Sequence, residues 1–165
     1  MELSDTTAWG FNAANGIELS YARQASRLGK AVLEVEQFAG VVKSLVSLPM
    51  HVQMKYLEAS LHGNEDAHKD IEKLITHWLK GEIHQMYSAA RKESEGDPDL
   101  SEIADYIYDE RNIGMLEHIE SYLTQPETTT VMVGALHLGG PKGLINLLTE
   151  KGYLVQQLNQ SGEPL

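Results

Sequence analysis

The chain of 165 residues contains no cysteine. That removes a disulfide framework, a thiolate metal site and a cysteine nucleophile at once. It has no apolar run approaching the length of a membrane span. Basic charge is also scarce: 13 Lys and Arg stand against 24 Asp and Glu, for a net charge of −11. A protein that tracks nucleic-acid phosphates needs a basic face, and an anionic membrane surface needs the same, so both partners are excluded as expectations. The first ten residues are polar and acidic, with no basic start and no apolar stretch, which predicts no secretory signal on the chain as given; a mature form after cleavage stays open. There is no Pro-rich or Gly/Ser-rich linker and no internal repeat at solenoid periods. What is present is an ordinary hydrophobic fraction of 42% in a length that suits one domain and its core.

Residues 1–13 read as an N-terminal arm and 14–165 as the domain. Helical spacing of Ile17, Tyr21, Ala25 and Leu28 predicts a helix over Ala14 to Leu28. Ala31-Val32-Leu33 is too short and apolar for a helix and reads as a buried strand, with Glu34 and Glu36 where it stops. Helices are predicted over Gln37 to Leu48, Met50 to Leu61, and from an Asn64 cap to Leu79, with a further helical piece to about Lys92. Glu93 to Glu110 holds eight acids and no Lys or Arg. This is either a solvated helix face or, through Glu102, Asp105 and Asp109, a metal-binding one. Arg111 to Leu123 continues as helix. Thr129 to Val133 is β-branched and short, a strand pattern, and it runs into the turn Gly134-Ala135-Leu136-His137. A helix from Lys142 to Glu150 and a strand from Tyr153 to Leu158 complete a plausible parallel crossover. The predicted fold class is therefore α/β, helix-rich, with a small, mostly parallel sheet of about three strands.

In a parallel sheet, ligands collect at the carboxyl ends of strands, and His137 lies just past one such end. Its neutral imidazole could ligate a metal whose bound water becomes a nucleophile; the competing reading is a hydrogen-bonded structural histidine. Gly139-Gly140-Pro141 fits neither phosphate-binding fingerprint. There is no His-Glu-x-x-His and no Gly-x-Ser-x-Gly. Glu34, after the first strand, could reach the same edge as a metal ligand or general base. Arg111 is either a surface residue pairing with Asp109 or Glu110, or an inward group that holds developing negative charge.

The stretch from Val131 to Tyr153, an apolar strand followed by Gly-x-x-His-Leu, a leucine-paired helix and Gly-Tyr, resembles the C-terminal signature of the TraB/PrgY/GumN family. Asp109-Glu110-Arg111-Asn112 resembles its Arg-Asn segment, Trp78-Leu79-Lys80-Gly81 its Trp-x-x-Gly step, and Gly16-Ile17-Glu18 with Gly29 to Glu34 and Gln37 its mid-domain strand. The likeness runs from about Ala14 to Leu158. That family includes metal-dependent proteases acting on Wnt ligands, inhibitors of peptide pheromones and exported bacterial proteins. The resemblance implies metal-dependent hydrolysis of peptides at a site with two Gly-x-x-His motifs, in a periplasmic or exported setting. It implies His137 and Glu34 as ligands of a divalent metal of open identity, and Glu34, Arg111 and His137 as the catalytic set. This chain carries one Gly-x-x-His that follows an apolar strand pattern, Gly134 to His137, and so resembles the C-terminal portion of such a domain. The alternative expectation is a non-catalytic module that binds a peptide or protein and forms a homodimer or larger assembly, with unpaired sheet edge inviting association.

Overall fold

The computed structural model describes residues 10–62 and 67–165. The arm over residues 1–9 and the Asn64 cap with Asp66 lie outside them. Eight α-helices are described: α1 (Ile17–Arg27), α2 (Phe38–Ser47), α3 (Met50–His62), α4 (Ala67–Lys80), α5 (Ile83–Arg91), α6 (Pro98–Asp105), α7 (Arg111–Leu123) and α8 (Leu144–Glu150). The helical spacings read from the sequence are met in each. Asp97 caps α6, its side chain accepting from the Asp99 and Leu100 amides, and Pro98 stands at the first helical position, where a missing N–H costs nothing.

Between α6 and α7 the chain does not break. Residues Tyr106–Glu110 form a π-helical turn that joins the two helices end to end. Such turns carry wider hydrogen-bonded rings and are found in single pieces, often at functional sites. Here the joint carries the buried Tyr106 and Asp109. The hydroxyl of Tyr106 donates to the Val41 carbonyl at 3.0 Å and ties α2 to it.

The expected α/β fold is overturned: among the described residues there is no strand and no sheet. The three segments read as strands are extended or irregular, and the one β-bridge is the isolated antiparallel contact of Leu158 with Pro164. The physical reason is visible in how those segments bury their side chains. Met115, Leu116 and Ile119 of α7 and Leu144 of α8 form the hydrophobic cluster, and Val35, Val131 and Val133 pack directly on it. Strand propensity measures how well a side chain fits a half-buried pleated surface. Helix surfaces receive these valines instead, and no second extended backbone lies alongside to form a ladder.

The connection from α1 to α2 is strapped along α7. Tyr122 donates to the main-chain oxygen of Glu34 at 2.7 Å, and Arg111 grips the side chain of Glu36. Together these contacts form one wall of the site.

Candidate functional site

The Gly-x-x-His segment forms a single 3₁₀ turn, Ala135–His137, against the π-helical joint and α5. The following loop lies unusually close to α5. A Cβ on Gly140 would fall 2.4 Å from the Tyr87 ring, and the residue has φ +83°, so both space and backbone require glycine. On Gly139 a Cβ would meet the Ile83 carbonyl oxygen at 2.6 Å. The Gly140 amide donates to Nδ1 of His84 at 3.3 Å. The glycine pair thus allows backbone to press onto a helix, and that contact fixes where His137 sits.

Asn112 holds the histidine itself. It is fully buried, at 0% exposure, on the α7 face shared by Met115, Leu116 and Ile119. Its Nδ2 donates to the carbonyls of Tyr108 and Lys142, both at 2.8 Å. With the amide nitrogen turned to two acceptors, Oδ1 faces Nδ1 of His137 at 2.8 Å. That imidazole nitrogen therefore carries a proton and donates, and in the neutral ring Nε2 carries the lone pair.

Burial pushes the His137 pKa down, and the positive charge of Arg111 pushes it the same way; Glu36, a backbone hydrogen bond at Tyr108 and Asp109 oppose them without prevailing. The ring is neutral at pH 7. In an NMR titration the midpoint of His137 is expected below the ordinary value of about 6.5. Because the fold favours the neutral ring, the associated stability is present above that value and is lost as pH falls through the depressed midpoint. Arg111→Gln should raise the midpoint, since it removes a cation and frees the Glu36 charge. A wild-type midpoint at or above 6.5 would contradict the burial.

Arg111 points inward. Nε donates to one Glu36 oxygen at 2.8 Å and a terminal nitrogen donates to the other, a bidentate pair of which both members are less than one-third exposed. These hydrogen bonds raise the Arg111 pKa further. The acid that meets Arg111 is thus neither Asp109 nor Glu110. Glu34 is exposed. Arg111 and His137 come close enough to influence one another, and Glu36 joins them. Choosing between Glu34 and Glu36 was beyond the sequence, where they differ by one alternation. Asn112 did leave a signal: a polar residue three and four places before Met115 and Leu116, on an otherwise apolar stripe.

A second buried network backs the joint. Asp109, 5% exposed, accepts from the Tyr87 hydroxyl at 2.7 and 3.0 Å and from Arg91 at 3.0 Å. Arg91 also binds Asp105. Desolvation and the hydrogen bond to Asp109 raise the Tyr87 phenol to about 12. Two acids of the acidic run are therefore partners of an arginine, and the metal-binding reading of Glu102, Asp105 and Asp109 has no support. His77 pairs with Glu82 at 2.8 Å.

A cleft of about 420 Å³ opens beside the Arg111–Glu36 pair. Val35, Val41, Tyr106, Met115 and His118 line it with the pair itself. Among the described residues no group of three or more His, Asp and Glu side chains could hold a metal ion. A catalytic metal commonly takes three protein ligands. His137 supplies one nitrogen, and both Glu36 oxygens are taken by Arg111, so the residues at this site do not by themselves form the metal centre that the resemblance implies. No described helix is long and apolar enough to cross a membrane.

The molecule is a helical protein organised around a Gly-x-x-His turn and an Arg-Asn helix start. Its sequence matches the model of the TraB/PrgY/gumN family over residues 3–157, most of the chain, and the chain belongs to that family. No curated protein and no solved structure matches it.

Proposed function

We propose that this chain is a binding member of the TraB/PrgY/gumN family, taking a peptide or protein segment in the cleft beside Arg111 and Glu36 and working as a homo-oligomer. The observation that supports it is the cleft: apolar Val35, Val41 and Met115 beside polar Gln37, Glu110 and His118, with one bidentate ion pair in its lining. Such a surface suits a partner that buries an apolar side chain against Val35, Val41 and Met115. The test is retention of peptides from a random library on the immobilised chain. Wild type should retain a subset rich in apolar residues, and Arg111→Gln, which releases the Glu36 wall of the cleft, should lose it. Equal retention by both proteins would reject the reading.

A second reading keeps the hydrolytic chemistry that the family resemblance implies. It is favoured by the neutral His137 with Nδ1 bound to Asn112, the form in which a histidine offers Nε2 to a metal. In that reading His137 is a metal ligand, Glu34 a ligand or base, and Arg111 a stabiliser of charge. Peptide cleavage that requires a divalent metal and disappears in His137→Ala would favour it over the binding reading.

A further inference from the structure

Among the described residues one segment is the longest without a main-chain hydrogen bond. From Pro126 to Val133 no backbone N–H or C=O is bonded to another described residue. The segment is nevertheless anchored. Val131 and Val133 pack on the hydrophobic cluster, while Met132 between them is 37% exposed. In, out, in is the period of a strand, with one face already buried and both backbone edges open. An apolar cleft of about 210 Å³ runs beside it, lined by Ile17, Val131, Met132, Val133 and Leu138, with Glu18 at its edge.

Charge decides what can cover such an edge. The chain as a whole carries −11, so two copies repel over most of their surfaces. From Thr128 to Pro141 there is no Asp, Glu, Lys or Arg. A second copy can approach this stretch without setting like charges against each other, and an antiparallel strand pair is self-complementary under a two-fold axis. Open edges of β-branched residues are templates for just this pairing.

We propose that Thr128–Val133 pairs antiparallel with the same segment of a second copy, forming an isologous dimer in which each segment satisfies the hydrogen bonds along one edge of the other. The proposal rests on the homo-oligomeric part of the functional reading and names its surface; peptide capture at the Arg111 cleft is independent of it.

Light scattering on the full chain should give twice the chain mass. Thr130→Glu and Met132→Lys, made separately, should each halve it while leaving the helical circular dichroism unchanged. The two substitutions have opposite signs on purpose. Met132→Lys reduces the overall negative charge, so a general charge effect would strengthen the dimer, whereas a charge placed at a strand pair weakens it. The alternate amide hydrogens that face the partner strand, either that of Met132 or those of Val131 and Val133, should be protected from exchange in the wild type, a measurement that does not depend on either variant folding. A monomeric wild type, with these amides exchanging freely, overturns both the pairing and the homo-oligomer. A dimer that survives either substitution, or that leaves these amides unprotected, overturns the pairing alone.

Discussion

Asn112→Ala is expected to destabilise the fold by roughly 3 kcal/mol, with the midpoint of urea unfolding falling accordingly. The side chain is fully buried and serves three partners: the carbonyls of Tyr108 and Lys142 and the Nδ1 proton of His137. Alanine replaces none of these bonds, and each buried group left unpaired costs about 1–3 kcal/mol. The Tyr108 carbonyl lies in a helical turn and recovers part of its share, which keeps the total near the lower sum. Asn146→Ala provides the comparison. Asn146 also donates to a carbonyl, that of Gly140 at 2.9 Å, but it is only half-buried and makes that one bond, so its loss should cost about 1 kcal/mol or less. The ring of His137 gives a second readout. With Asn112 present, ¹⁵N spectra should show a single neutral tautomer protonated on Nδ1; in the variant the two tautomers should mix. Similar stabilities for the two alanine variants, with the tautomer unchanged, would mean that Asn112 does not organise the site.

The second large effect is expected at Arg91. Asp109 has two partners, Tyr87 and Arg91, and its side chain is 7% exposed while that of Arg91 is 18% exposed. Removing one member of a buried pair strands the other's charge, typically at 3–5 kcal/mol. Arg91→Met should therefore cost about 3 kcal/mol, the low end of that range, because some solvent still reaches the arginine. Replacing both, Arg91→Met with Asp109→Asn, should cost less than Arg91→Met alone. The neutral amide oxygen can still accept from Tyr87, and Asp105, 44% exposed, is left in water. A double variant less stable than the single would show that the ion pair itself, rather than the stranded carboxylate, carries the energy.

The helices were legible in the sequence because a helix satisfies its own backbone and announces itself by apolar spacing; which apolar face is buried was less so, and it reads directly on α7, whereas Phe38 and Val42 of α2 and Trp78 of α4 stay 82%, 42% and 54% exposed. The strands were misread for the converse reason. Val131-Met132-Val133 has the composition and alternation of a strand, but a strand exists only when another lies beside it, and that is a fact about distant residues. In the site, the Gly-x-x-His turn was visible locally, while Arg111 read equally as a surface partner of Asp109 or Glu110 and as an inward group. What the sequence hid were the pairings across many positions, Arg111 with Glu36 and Arg91 with Asp109, because a charge's partner is set by how helices rotate against each other.

That rotation has a single origin in the π-helical joint. A residue advances an α-helix by about 100°. Tyr106–Glu110 spends its residues on a wider turn, so the sides of α7 are indexed differently from those of α6 although the two run on as one rod. Were the same five residues wound as plain α-helix, the rod would remain unbroken, yet Arg111 and Asn112 would turn away from Glu36 and His137 relative to α6. The site is in this sense a phase relation, set by how the backbone of the joint is wound as well as by which side chains it carries.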